Sequence, residues 1–510
     1  LTLAVPPRAS RAAFLPEERI PTDSPLYRDL ERLATTYRVA PRFLSSRPLR
    51  RAEATTFLGE LRAAHPDAER DPAYGRAVRH LDPAAPGATP PLIARTGPGG
   101  ERIEVSPYVS LLYSDDPRSR PYVNRDYRAG AALAASLDSG SVMVLDYYGG
   151  TASQGGRGTP NFGTLNAAIE GVDFNSWIGD AYLVATLARV RVLFGHTWLR
   201  WGPGRTGTLA LSDAAPALDM LHGEATVFRS IRGQWFVALL DPGPQTYLAG
   251  HRLEARIGER LTVGLSELAR FDGTSQAWLY FMPVIPYNIW EKRPKTGRVS
   301  PDDSSGLALN KNNILQSVDV SWNFRPGARI WAELMIDDIS FSSDYKPDMI
   351  GYQLGAEVRR AIGAGRRVGA AAEWSRVNNF VYSAWHGHDF EFEGFPTGFV
   401  MGPDVSCSFG EVTYEHNARW EFGVRAEYRE KGEGALGEPW SKSLGKVNAA
   451  EHAGIVEKEI RITWSAAYTP ARGLRVEAGL ATSQIKNLDH VISPGWDADV
   501  PLMARASLAW

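Results

Sequence analysis

From about residue 100 onward the chain is dominated by alternation of period two. Between Arg419 and Arg429, the apolar residues Trp420, Phe422, Val424, Ala426 and Tyr428 alternate with Arg419, Glu421, Gly423, Arg425, Glu427 and Arg429. Ile460, Ile462, Trp464, Ala466 and Tyr468 repeat the pattern against Arg461, Thr463, Ser465 and Ala467, and Val318, Val320, Trp322 and Phe324 repeat it against Asp319, Ser321 and Asn323. Successive side chains of a strand point to opposite faces, so these segments predict strands with one oily and one wet side. The N-terminal part differs. From about Ser24 to His80, Leu26, Leu30 and Leu33 recur at three or four residues, as do Ala54, Phe57, Leu58 and Leu61, which predicts two or three short helices. The Pro-, Gly- and Ala-rich stretch from Asp82 to Gly100 carries no periodicity and reads as a linker.

Alternating strands suit either a soluble sandwich, whose apolar faces meet, or a membrane barrel, whose apolar faces meet lipid. Connection lengths separate the two, because outer-membrane barrels have tight turns on the periplasmic side and longer loops outside. Tight turns are predicted near Asp138 to Gly140, Ala188 to Arg189, Arg232, Gly258, Pro326, Gly363 to Gly365, Asn417 and Ala471 to Gly473. Longer connections fall near 115–121, 150–178, 202–222, 242–249, 273–307, 342–348, 382–405, 431–453 and 490–500. Eight turns and nine loops make about 18 strands, an even number that returns the C-terminus to the side of the turns. The last segment alternates as well, with Leu502, Ala504, Ala506, Leu508 and Trp510 on one face. An aromatic end to such a strand is similar to the terminal signature that the barrel-insertion machinery reads. The expected architecture is an all-β transmembrane barrel of about 18 antiparallel strands with a small N-terminal α-helical periplasmic plug domain. Residues 1–100 form the plug and linker and 101–510 the barrel, set among outer-membrane lipid and lipopolysaccharide with the loops extracellular.

Composition narrows the field. No run of about 18 apolar residues is present, which excludes a bundle of membrane helices. The 49 glycines, 15 tryptophans and 19 tyrosines among 510 residues fit short strands and turns. The single Cys407 allows no internal disulfide. With 56 basic and 58 acidic side chains the net charge is -2, so no overall field recruits nucleic acid. Leu1 to Arg8 lack the basic start and apolar core of a secretory signal, so the numbering is expected to begin at or near a mature terminus.

If the oily side meets lipid, the wet side lines the lumen. It carries Arg329, Glu333, Glu357, Arg359, Glu373, Arg419, Glu421, Arg425, Glu427, Glu457, Glu459, Arg461, Arg475 and Glu477. Interleaved signs on neighbouring strands are expected to pair and fill the lumen rather than leave a diffusion pore. The loops carry Trp177, Tyr287, Trp290, Trp385, Asp389, Trp440 and Trp496. Flat rings stack on sugar faces while carboxylates bind hydroxyls, so these are candidate polysaccharide contacts; the competing reading is the aromatic girdle of any barrel. His386, His388 and Asp389 have the donor types of a metal site, but the spacing of a solvated loop, and no metal or other cofactor is expected. No G-x-S-x-G, H-E-x-x-H or phosphate-binding loop is present, and no enzyme activity is expected.

One segment is more specific. Trp198-Leu199-Arg200-Trp201-Gly202-Pro203-Gly204-Arg205-Thr206-Gly207, followed by Leu211-Ser212-Asp213-Ala214-Ala215-Pro216 and Leu218-Asp219, resembles the W-G-P-G and S-x-x-A-P segment of the capsule assembly Wzi family. Ser24 to Leu33 is similar to the start of that family's periplasmic helices, and Pro283 to Tyr287 with Asn312 to Leu315 is similar to its proline-rich loop and following strand. The resemblance implies an outer-membrane lectin, an 18-stranded barrel plugged by helices that helps attach and organise capsular or exopolysaccharide. Arg200 and Arg205 are then candidates to pair either with lumenal carboxylates or with acidic sugars. The alternatives are a porin for small solutes or oligosaccharides and a structural barrel that anchors surface proteins.

Overall fold

The computed structural model describes residues 15–39, 41–82, 85, 91–114, 125–138, 140–152, 166–168, 175–282, 285–287, 312–339, 346–363, 365–384, 387–471 and 474–509. Three helices come first: α1 (Leu26–Tyr37), α2 (Arg51–Ala64) and α3 (Pro72–Leu81). Each has a local cause. In α1 the spaced leucines and Tyr27 form a buried stripe, and the helix ends where Arg38 turns left-handed at φ 60°. Glu53 reaches back to the Arg50 amide (3.0 Å) to start α2. At α3 the Asp71 carboxylate caps the Ala73 amide (3.0 Å) with Pro72 just inside the helix. The three pack on a core of their own that includes Leu30, Leu33, Phe57, Leu61 and Ala77.

Eighteen antiparallel strands follow. They are β1 (Arg102–Ser114), β2 (Arg125–Ser136), β3 (Ser141–Ala152), β4 (Asn175–Leu187), β5 (Val190–Thr197), β6 (Leu218–Phe228), β7 (Ile231–Asp241), β8 (Thr246–Ile257) and β9 (Leu261–Asp272). The second half comprises β10 (Asn313–Arg325), β11 (Ala328–Asp338), β12 (Met349–Gly363), β13 (Arg366–Val377), β14 (Val405–Glu415), β15 (Trp420–Lys431), β16 (Glu457–Ala471), β17 (Leu474–Lys486) and β18 (Leu502–Ala509). Each strand pairs with the next, and β18 closes on β1 in the register Met503↔Ser114 to Ala509↔Tyr108, which leaves the barrel without a free edge. The expected alternation holds. On the outer face Trp322, Trp374, Trp420, Phe422, Val424 and Trp464 stay 40–45% exposed, as a surface meeting hydrocarbon must.

Among the described residues tight turns and long loops alternate as expected, with local differences; the loop predicted at 115–121 and much of those at 273–307 and 342–348 lie outside the described residues. The turn placed near Arg232 lies at 229–230; Arg232 itself is a strand residue buried in the lumen, where its charge is paired and so does not mark a turn. The strands flanking the loop predicted at 150–178 run to Ala152 and from Asn175, since Gly149 and Gly150 pair with Ser176 and Asn175, and Asn166–Ala168 between them also pairs with β4. The loop predicted at 202–222 is 198–217, because His222 pairs with Phe236. In the linker, Ile93–Thr96 pairs with β1 (Ile93↔Val105), so part of that stretch extends the sheet. Trp510 lies outside the described residues.

The helices sit in the lumen at the tight-turn end. The Gly327 amide, in the β10–β11 turn, donates to the Thr35 carbonyl (2.7 Å) at the end of α1, and Arg79 of α3 donates to the Ala418 carbonyl (2.8 Å) in the β14–β15 turn. Gly327 adopts φ +76°, and a Cβ there would lie 2.3 Å from the Arg359 carbonyl oxygen, so the turn requires glycine. On the outer wall at the other end, a short helix α4 (Thr274–Tyr280) and Tyr287 lie over β8 and β9. Tyr280 stacks on Phe271 (4.2 Å) and Tyr287 packs against His251 (4.3 Å) while its amide donates to Glu267 (2.7 Å). This strap covers an outward-facing His–Glu pair (3.0 Å) that would otherwise meet lipid.

Candidate functional site

The lumen is built in two layers. The lower layer, at the turn end, is ionic and joins the helices to the wall. Arg32 of α1 binds Glu421 (2.7 Å) and Glu415 (3.4 Å), Arg28 binds Glu411 (2.7 Å), and Arg76 of α3 binds both Asp29 (2.6 Å) and Glu415. Arg359 of β12 reaches Asp71 (3.0 Å) and Glu415, so the carboxylate that caps α3 also ties it to the wall. On the other side Arg232 binds Glu53 (3.1 Å), and Arg191 binds Glu17 (3.1 Å) and Glu224 (3.0 Å). The mixed charges of the wall therefore do pair, some with the plug and some with one another, as Arg252 does with Asp319 (2.5 Å) and Arg429 with Glu459 (2.7 Å).

Glu31 shows what such pairing does to a buried acid. Burial alone would raise its carboxyl, but Arg329 (3.7 Å) and Arg47 (2.7 Å) outweigh that and bring it down to about 2. A depressed carboxylate stabilises the fold above its unfolded value near 4.5 and loses that contribution as pH falls through about 2. The docked plug is thus expected to hold at pH 5 and to loosen progressively between about pH 4.5 and 2. Protease protection of residues 15–82, followed against pH, measures this; protection that fades on raising the pH instead has the sign wrong.

The upper layer is apolar and made of loops folded into the barrel. In the 198–217 loop the backbone of Arg200–Trp201 pairs antiparallel with Ser46–Arg47 of the plug, so the two layers touch. Trp201 is fully buried against Phe236 (5.5 Å). Glu373 of β13 accepts from the Arg205 amide (2.8 Å), the Thr206 amide (2.8 Å), the Thr206 hydroxyl (2.5 Å) and the Trp331 indole (2.6 Å). Glu333 of β11 accepts from the Leu209 (3.0 Å) and Ala210 (3.2 Å) amides. Gly204 is needed for this fit, since a Cβ would fall 2.1 Å from the Gly207 carbonyl oxygen. The loop after β13 follows it inward: the Tyr382 hydroxyl donates to the Leu209 carbonyl (2.5 Å), and Val381, Tyr382, Phe390 and Phe399 are fully buried.

A third loop, 432–456, is pinned by Asp404, which accepts from the Gly434 (3.1 Å) and Ala453 (3.0 Å) amides and from His452 (2.9 Å). Burial opposes its charge, but those bonds hold its carboxyl below the ordinary value. Ser406 lies 3.2 Å from the other ring nitrogen of His452, in the order of a Ser–His–Asp relay that residues 46 and 48 positions apart do not announce in sequence. Arg376, however, approaches both ring nitrogens (2.9 and 3.0 Å) and repels the positive charge a general base must take up. The cluster works as a clamp.

The residues singled out in the sequence are scattered through these layers. Arg205 pairs with Glu357 (2.8 Å) and Glu411 (3.4 Å), and Arg200 with Asp213 (3.6 Å). Trp440 is buried at 9% exposure with its indole on the Gly445 carbonyl (3.3 Å), and Tyr287 is buried beneath the outer strap. Asp389 accepts from the Ala384 amide (2.7 Å). Trp496 is 42% exposed on the loop between β17 and β18. The Trp177 backbone pairs with Tyr148, and Trp290, Trp385 and His386 lie outside the described residues. His388 bonds to Asp272 (2.9 Å), and among the described residues no group of three metal-binding side chains occurs. What the sequence reading missed are cavities left between plug and wall, among them two that adjoin, of about 390 and 570 Å³.

A closed β-barrel with an oily outer face, a helical plug and loops packed into its lumen defines an outer-membrane protein of the plugged-barrel class. A profile of the capsule assembly protein Wzi family matches residues 166–494, and the chain belongs to that family. The structure of Wzi from Escherichia coli, described as a carbohydrate-binding β-barrel of the outer membrane involved in group 1 capsule assembly, is similar over 96% of this chain and 99% of its own, at 16% identity and a TM-score of 0.64. Pseudomonas aeruginosa OccD3 is similar over 83% of this chain and 95% of its own (9% identity, TM-score 0.45), and Acinetobacter baumannii OccAB2 over 80% and 98% (11%, 0.45). Comparison with curated protein sequences returned no match.

Proposed function

We propose that this protein binds and organises capsular or exopolysaccharide at the cell surface and does no chemistry on it. In this reading residues 1–100 are the helical plug and its linker to the barrel, on the periplasmic side, and the long loops face outward amid lipopolysaccharide. The observation that carries it is the filling of the lumen from both ends, by ion pairs below and by a buried apolar layer above. Such an interior suits a rigid platform better than a diffusion pore. Family membership and the carbohydrate binding of the Escherichia coli relative support the ligand class. Trp496 and Asp389, with Trp177, Trp290 and Trp385, are the proposed surface contacts, supported by Trp440 from within the loops and by Tyr287 from beneath the outer strap.

Two measurements test it. Detergent-purified protein is expected to retain capsular polymer from a cell-surface extract and to pass no steady current in planar bilayers. Large, stable single-channel currents would favour the porin reading, and failure to retain any polymer while the barrel stays folded would favour an anchor for surface proteins.

A further inference from the structure

The plug ion pairs described above land on β5 to β15. Two cavities lie beside the plug: the smaller faces the opposite wall, along β16 to β18 and β1 to β4, and the larger lies against β14, β15, β17 and β18. They adjoin, since Thr22, Asp23, Pro25, Arg475 and Ser507 line both. Each, at about 390 and 570 Å³, falls within the range of small-molecule sites.

Their linings differ in chemistry. Arg28, Arg47, Arg200, Arg205, Arg425 and Arg475 surround the larger cavity. A guanidinium offers only donors, so whatever satisfies it must bring acceptors. Asp23, Glu31, Asp213, Glu411 and Glu477 line the same space and each of the six arginines is ion-paired, yet the Nε–H groups of Arg47, Arg200 and Arg425 are buried without a partner, so the pairing leaves donors over. Burial and the adjacent Arg200 also lower the Arg47 pKa, as expected where cations crowd one space. The side chains of Arg28, Arg425 and Arg475 keep 40, 32 and 25% of their surface open although they point into the lumen, so they are reachable from within. The smaller cavity presents Tyr108, Tyr148 and Trp198 beside Asp146 and Asp180. Flat rings with carboxylates fit the faces and hydroxyls of a pyranose.

We propose that these joined cavities form a lumenal binding site for a short stretch of acidic saccharide, with its carboxylate among the arginines and a neutral ring against Tyr108, Tyr148 and Trp198. The proposal rests on the glycan-binding reading and deepens it by naming an anionic ligand and an interior subsite. Thr469, Leu474 and Arg79 line the smaller cavity next to the tight turns, so the site is approached from the plug end rather than through the packed loops.

The test uses the full chain in detergent and equilibrium dialysis against trigalacturonate, maltotriose and inorganic phosphate. Trigalacturonate is expected to bind, more weakly as salt rises, with maltotriose at least tenfold weaker and phosphate a poor competitor. Arg475→Glu, which reverses a charge shared by both cavities, and Ser507→Trp, which fills their junction, are each expected to weaken trigalacturonate binding at least tenfold while the plug stays protease-resistant. Unchanged affinity in either folded variant overturns the interior site, as does full displacement by phosphate, which would mark a small-anion site. Retention of intact polymer with no trigalacturonate binding overturns this inference and leaves the surface reading standing. Loss of both sinks the reading beneath it.

Discussion

Glu415→Ala is expected to unseat the helical plug. Its carboxylate, 2% exposed, receives Arg32, Arg76 and Arg359 at once, from two helices and one strand. Without it three guanidiniums remain buried with their strongest common partner gone, and removing one member of a buried ion pair costs about 3–5 kcal/mol. That is a large share of what holds a small domain in place. Arg76 retains Asp29 and Arg359 retains Asp71, so the helices themselves should survive. The expected signature is a barrel of unchanged strand content whose residues 15–82 become protease-sensitive. If the plug stays fully protected, the ionic layer is not what seats it. Glu415→Gln should be milder, since an amide keeps the shape and one acceptor oxygen.

Glu373→Ala is expected to release the 198–217 loop. One carboxylate accepts two backbone amides, a hydroxyl and an indole N–H, and all four donors would lose it in an enclosed space. Each stranded donor costs about 1–3 kcal/mol, so the loop gains by swinging out toward water. Because that loop meets both the plug and the Tyr382 segment, its departure should open a path along the lumen. Flickering currents in bilayers where the parent protein is silent are the expected readout. A variant as silent as the parent would show that the neighbouring apolar contacts suffice.

Much of the fold was legible because a barrel writes its geometry as alternation. The stripe from Trp420 to Tyr428 needed no knowledge of partners: an oily row on a strand has to face something oily. The turns were readable where glycine or proline marks them, as at Pro326 and Gly258, and placed slightly late at Arg232, a strand residue whose charge the plug covers. The site was less legible for the same reason. A long loop rich in tryptophan reads as exposed, yet Trp440 and the 378–404 loop turn inward, since the lumen offers a second interior that sequence periodicity does not announce. Glu333 and Glu373 were visible as lumenal acids but not as anchors for backbone amides, which depends on where a distant loop lands. The cavities beside Arg475 arise only from what the plug leaves uncovered.

The two-residue pairing of Ser46–Arg47 with Arg200–Trp201 also constrains the order of assembly. Segments about 150 positions apart meet in the middle of a cylinder that closes only when β18 finds β1. Long-range contacts of this kind form late and slowly. A wall sealed first would leave the helices threading into a filled tube, so the last seam should zip around a cargo of helices and loop that is already in position.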